Sequence, residues 1–481
     1  MFTQLRLRRS TSDSEKSSNA HLPSPEPHRL PQEIFDLIVD FIASHRRESE
    51  EWRDTLVSCA TAFRSLRSRA VVMLFKEVGL CTNPFNIQQR AARLLKVLKG
   101  DLRLVENMES FTVSLSFERQ HPAVRIGQIL HPRYRQLALS AVDAIRLKRG
   151  SFLELLELIL MHSQLRTLGV EGNYNWEGQL LSRKEKETLI AIRSMPSIKT
   201  LGLCGINHLD PRVFFGNHPS ENTLDKLVLD GMLNYGPIPN DLVPPPLPSS
   251  ITSAELSDRS CRLLDFMMQR LHEPSPLGTR TYPTYFPALK KLKISYVGSL
   301  GDLGAMWYFI TTAKSLESLE IEHIGNYGTR QSVVESVWCL SDLGALRHLK
   351  FSTGTSDGPK SRRNIRVITE ILRSAREPSA IQSLAIDFDI PANGEMDLTQ
   401  NSVTQYWEQV ERILTGPHFS SLRSVKINIK VARPSDDDDI LYVASRRVSL
   451  EECGFSAQDI MPSLISCPWI DTDFIVTRYN L

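Results

Sequence analysis

Downstream of residue 100 the apolar positions keep returning in one short phrase, apolar-x-x-apolar-x-apolar. It reads LRTLGV at Leu165, IKTLGL at Ile198, LDKLVL at Leu224, LKKLKI at Leu289, LESLEI at Leu316, LRHLKF at Leu346, IQSLAI at Ile381 and LRSVKI at Leu422; looser copies are MESFTV at Met108 and ITSAEL at Ile251. In the last three positions two apolar residues flank a polar or small one, the period-2 alternation of a strand with one buried face. Between the phrases the period lengthens to that of a helix, in SFLELLELILMHSQ, KETLIAIRSM, CRLLDFMMQRLH, AMWYFITTAK, SVVESVWCLSDL, NIRVITEILRSA and TQYWEQVERIL. In NIRVITEILRSA, for example, Ile365, Ile368, Ile371 and Leu372 fall three and four apart and make one stripe.

Strands alternating with helices fit a doubly wound sheet or a solenoid. A phrase returning every 26 to 41 residues or so favours stacked equivalent units. The phrase resembles the leucine-rich repeats, matching their L-x-x-L-x-L core, although the Asn or Cys expected just after it is mostly missing and the repeat lengths are irregular. The resemblance implies an α/β fold over residues 81–481: a curved solenoid with a parallel β-sheet on its concave face. The first, fourth and sixth positions of each phrase are then core. Residues alternating outward, such as Lys226, Lys293, Glu320, His348, Lys350 and Lys426, and the loops after them are left for recognition. Their chemistry is mixed and singles out no ligand class. The Pro-rich run from Asn234 to Ser250 is predicted to project as a loop.

The stretch before residue 81 follows neither pattern. LPQEIFDLIVDFIA predicts a helix with Pro31 at its first position and Ile34, Phe35, Ile38, Phe41 and Ile42 nearly on one side. WRDTLVSCATAFRSL and RSRAVVMLFKEV predict two more helices. Three short helices in about 50 residues bury too little of their own surface to be comfortably stable, so such a unit leans on a partner or a neighbouring domain.

Residues 29–80 resemble the F-box, the module by which substrate-recognition subunits of cullin-type ubiquitin ligases bind the small adaptor subunit. The L-P-x-E-I opening stands as Leu30, Pro31, Glu33 and Ile34, the middle stretch as Leu56, Val57, Ser58, Cys59 and Phe63, and the closing pair as Leu74 and Phe75. Two departures are the inserted charged turn SHRRESEEWRD and Phe63 where the family often has Trp. An F-box ahead of leucine-rich repeats is a familiar order. The resemblance implies that Leu30, Pro31, Ile34, Phe35 and Ile38 contact the ligase adaptor subunit, with Leu56 and Phe63 touching it or supporting that face, while the repeats bind a protein substrate. The alternative is a repeat scaffold for protein–protein interaction with no ligase role, its first helices capping the solenoid as terminal repeats require.

Composition narrows the rest. The chain has 481 residues, 41% hydrophobic and 23% charged, with a formal net charge of +2, so no strong field favours nucleic acid or membrane. The seven cysteines are scattered, with no Cys-x-x-Cys pair, which implies reduced thiols in a cytoplasmic or nuclear protein. Residues 1–28 read as a disordered Ser/Pro-rich leader. No run of about 18 apolar residues predicts a membrane span. GTSDG at Gly354 fits G-x-S-x-G, but Pro359 and KSRRN separate it from the next apolar stripe, which argues against a nucleophile elbow at Ser356. Asp387, Asp389 and His418 follow in an order that chance readily supplies. SDDDD at Ser435 and the basic runs at Arg6 and Lys360 read as solvated surface. The chain is therefore expected to be no enzyme and to hold no metal or cofactor.

Overall fold

The structure is a computed structural model that describes residues 31–44, 51–82, 87–115, 150–177, 181–207, 213, 224–231, 250–257, 260, 286–295, 307, 309–322, 339–353, 359–390, 401–433, 446–448 and 461–480. The chain divides into two compact units, Met1–Leu74 and Phe75–Leu481. Leu30, the leader, GTSDG, SDDDD and the helix expected over 261–272 lie outside the described residues.

The first unit holds three helices, α1 (Gln32–Ser44), α2 (Glu51–Ala62) and α3 (Arg64–Phe75). Its core is small: Val39, Leu56, Cys59, Leu66, Ala70 and Met73, with Phe35, Ile42, Trp52 and Leu74 partly buried against them. Two expectations change here. Part of the supposed charged turn is helical, since α2 starts at Glu51 and carries Trp52 onto the core. The third helix stops at Phe75, and Glu77–Thr82 forms strand β1, so the boundary falls at Leu74 rather than at residue 80. Val78 and Leu80 take the same inward register as Phe111 and Val113 on the next strand, an alternation too short to stand out in the sequence.

The second unit is α/β. Its strands are β1, β2 (Ser110–Leu115), β3 (Thr167–Glu177), β4 (Thr200–Asn207), β5 (Lys226–Asp230), β6 (Ser253–Ser257), β7 (Lys291–Ser295), β8 (Ser318–Glu322), β9 (His348–Ser352), β10 (Ser383–Ile390), β11 (Ser424–Arg433), β12 (Arg446–Val448) and β13 (Asp471–Asn480). They lie side by side in chain order; β1 to β11 and then β13 are parallel, and β12 adds antiparallel to β13. All ten phrases fall on strands, and none of their first, fourth or sixth residues is more than 4% exposed. Each Leu or Ile so buried contributes about 1.5–3 kcal/mol.

From β2 to β11 backbone pairing begins one residue before each strand. The N–H of Glu109 donates to the carbonyl of Lys76 (2.8 Å), that of Arg166 to Glu109 (2.8 Å), and that of Lys199 to Arg166 (2.8 Å); the row continues to Arg423 on Gln382 (2.8 Å), and at β13 pairing begins with its first residue, Asp471 on Arg423 (2.8 Å). The following N–H shares the same carbonyl, as Thr200 does on Arg166 (2.9 Å). Consecutive strands are thereby set in register at their first residue, whatever length of chain connects them.

Helices cover one face of this sheet. α4 (Ile87–Gly100), α6 (Ser151–His162) and α7 (Arg183–Arg193) stack in sequence, with the one-turn α5 (Arg103–Glu106) beside α6. Ser182 and Glu185 cap α7 reciprocally, each side chain taking the other's backbone N–H. Further on, α8 (Pro359–Arg373) packs on α9 (Asn401–Leu414), and the buried Glu411 carboxylate accepts the Leu464 N–H (2.7 Å) of α10 (Pro462–Ile465). α8 starts earlier than its apolar stripe predicted, because Pro359 suits a first helical position and opens the helix rather than delaying it. The described part of SVVESVWCLSDL is a 3₁₀ turn, Leu340–Asp342, not an α-helix. Where the strands lengthen, Phe388 meets Trp407 edge-on at 6.1 Å. Gly205 sits left-handed (φ 61°) where β4 and β3 change register, so that β3 advances from Glu171 to Trp176 while β4 advances from Cys204 to Ile206.

Candidate docking face

α1 is apolar on two sides. Phe35, Val39 and Ile42 recur at i, i+4 and i+7 and face the core of the first unit. Ile34, Leu37, Ile38 and Phe41 recur at i, i+3, i+4 and i+7 and are exposed, Leu37 at 63% and Phe41 at 67%. Phe63, between α2 and α3, is 58% exposed, and Val57 of α2 is exposed as well.

Polar ties fix the helix that displays this stripe. Gln32, at its start, donates to the Ser65 carbonyl (2.8 Å) and to Asp36 (2.9 Å). Asp40 takes both arms of the Arg69 fork, Nε at 2.8 Å and Nη2 at 3.0 Å; the hydrogen bond to Asp40 raises the Arg69 pKa. Arg67 Nε donates to the Ala60 carbonyl (2.8 Å), joining α2 to α3.

The sequence-predicted contact residues therefore separate. Pro31 lies just before the helix, its carbonyl accepting the Ile34 N–H (3.1 Å), and is exposed. Ile34, Ile38 and Phe63 are exposed. Phe35 turns to the core, and Leu56, fully buried, supports the unit from within. Leu37 was not singled out, although counting i, i+3, i+4, i+7 from Ile34 finds it.

On the second unit the face opposite the helices carries the outward-alternating residues, and their charges are paired across strands. Lys226 pairs with Glu255, Lys293 with Glu322 (2.9 Å), and Lys426 with Asp473 (3.9 Å), while Lys350 bridges Glu320 (2.7 Å) and Asp387 (3.2 Å). Burial works to lower the Lys350 pKa, but hydrogen bonds and charges from Glu320 and Asp387 outweigh it and the net shift is upward. Toward the amino-terminal strands the face is built of small residues, Gly79, Thr112, Gly169 and Gly202, bordered by Cys204. Burial, followed by Asp230 and Glu171, pushes the Cys204 thiol up to about 11.

Asp387 belongs to this paired face, whereas His418 lies in the turn before β11 near the ends of α8 and α9, so the two are not brought together. Among the described residues there is no group of His, Cys, Asp and Glu side chains able to hold a metal, and no helix long and apolar enough to cross a membrane. Comparison with known proteins finds no matching family model and no similar curated protein.

Proposed function

We propose that this protein is a substrate-recognition subunit of a cullin-type ubiquitin ligase, its first three helices acting as an F-box that docks the ligase adaptor subunit and its repeats holding a protein substrate. One observation carries the reading: the exposed stripe Ile34, Leu37, Ile38 and Phe41 on a helix whose opposite side already supplies the core. A helix serving only its own small unit needs one apolar side. The second is available to a groove on a partner, the helix-in-groove mode of recognition. Leu30 and Pro31 would extend the contact beyond the start of α1. The phrase repeated through the second unit fits the leucine-rich repeats that accompany this module, and the open face of the sheet is the surface a substrate would meet.

The substitution pair Ile34→Ala with Ile38→Ala tests the proposal. As interface anchors these two side chains would together contribute about 2 kcal/mol or more, roughly a 30-fold loss of affinity for the adaptor subunit. Being exposed, they contribute little to folding, so the melting temperature should change by no more than a few degrees. Failure of the unsubstituted protein to bind the adaptor in a pull-down would reject the ligase reading. A large fall in melting temperature on substitution would instead favour helices that cap the solenoid.

A further inference from the structure

The carboxyl ends of α8 and α9 bound a cleft of about 440 Å³ lined by Arg373, Arg376, Arg412 and His418, together with apolar Ala375 and Ile413. Among the described residues no carboxylate lines it. Arg373 is anchored in place: Nη1 donates to Glu370 (2.7 Å) on its own helix and Nη2 to Gln409 (3.0 Å) on α9. The chain segments carrying the other groups are pinned through their backbones. The Arg376 N–H donates to Ser341 Oγ (2.8 Å), and the His418 carbonyl accepts both the N–H (2.8 Å) and the hydroxyl (3.0 Å) of Ser379. Yet among the described residues no partner engages the Arg376 guanidinium, the Arg412 guanidinium or the His418 ring.

Cations near a helix carboxyl terminus complement its dipole, and that accounts for Arg373 and Arg412, each in a last turn. It leaves Arg376, three residues past the end of α8, and His418, in the turn beyond α9. The dipole effect also requires no cavity. A cleft of this volume is in the range that holds small ligands, and guanidinium forks match the oxygens of a phosphate in bidentate fashion.

We propose that this cleft binds a phosphate group, with Arg376 and Arg412 donating to its oxygens, Arg373 forming the fixed wall and His418 adding a further donor. The phosphate belongs either to a phosphorylated side chain of a protein or to a free phosphate compound. The site is on the helical layer, away from the open face of the sheet, and does not depend on the ligase reading.

Phosphorus NMR line broadening with the full chain tests it, using inorganic phosphate in one series and a phosphoserine hexapeptide in another. Saturable broadening is expected, weakened at least about tenfold in R376Q/R412Q. The peptide binding much more tightly than inorganic phosphate assigns the site to a phosphorylated protein; equal affinities assign it to a free phosphate compound. Because neither guanidinium has a partner to lose, the double variant should melt within a few degrees of the parent. R376K/R412K, which keeps the charge and loses the fork, should bind with intermediate affinity. Broadening that fails to saturate, or that R376Q/R412Q leaves unchanged, would overturn the proposal and leave these cations as complements of the helix ends.

Discussion

Placing a methyl group at Gly169 measures how tightly β2 and β3 are held together on the open face. The two residues are register partners, and a Cβ on Gly169 would stand 2.7 Å from Thr112 Oγ1, 3.0 Å from its Cγ2 and 3.2 Å from its Cβ. The contact is with a β-branched side chain, whose rotamer freedom is small, and one of the three atoms is fixed to the backbone. Overpacking of this kind costs about 1–3 kcal/mol. Replacing glycine by alanine inside a strand returns about 0.5–1 kcal/mol of unfolded-state entropy. Gly169→Ala should therefore destabilise the second unit by up to about 2 kcal/mol net. In a Thr112→Ala background two of the three close atoms are gone, so the same change should be neutral or mildly stabilising. The coupling in this double-mutant cycle should be at least about 1 kcal/mol. Hydrogen exchange at the β2 and β3 amides reads the local stability without requiring the whole array to unfold in two states. An identical cost of Gly169→Ala in both backgrounds would refute the reasoning, since the strain could not then arise against Thr112.

Two further outcomes follow from burial. Leu56→Ala, by emptying a fully buried position in a core of six residues, should cost the first unit about 2–5 kcal/mol and abolish its helical protection from exchange, whereas loss of protection confined to the neighbours of Leu56 would contradict its place in the core. Cys204 should alkylate more slowly than the exposed Cys81 at pH 8, read by mass spectrometry after timed labelling; equal rates would show the thiol to be neither half-buried nor raised. The raised thiol also contributes stability that is complete below its unfolded value of about 8.5 and is lost as pH rises toward 11.

The strands were legible because the phrase carries two redundant signals, its alternation and its recurrence. Even Ala254, the weakest inward residue among the ten phrases, is placed by its neighbours Ile251 and Leu256. Elements lacking that redundancy were misread. β1 alternates only over Val78 and Leu80, directly after an apolar helix, so the helical period ran through it. In α1 the helical period was legible but one apolar side was expected where there are two: Ile34, Ile38 and Phe41 are exposed while Phe35 and Ile42 turn to the core, and neighbours 100° apart on a helix are divided between two sides only once α2 and α3 are in place. The arginine-lined cleft gave no sequence signal, since Arg376, Arg412 and His418 meet only through the turns that end two successive helices.

The zero-shift pairing of successive strands also determines which repeats the protein could lose. Excising one strand with its connection brings its two neighbours together, about 4.8 Å apart and in the same register. From β4 to β11 the main chain accepts this, because each strand there offers the same carbonyls to the next. The side chains on the open face do not. Without β5, Thr200 would stand beside Ser253 and Gly202 beside Glu255, both tolerable. Without β9, Lys350 disappears, and Asp387, deprived of that cation, would stand beside Glu322. Like charges directly opposite on adjacent strands repel. Repeat number in this array is thus constrained locally, by the sign of the charges on either side of the cut, and the ninth strand is far less dispensable than the fifth.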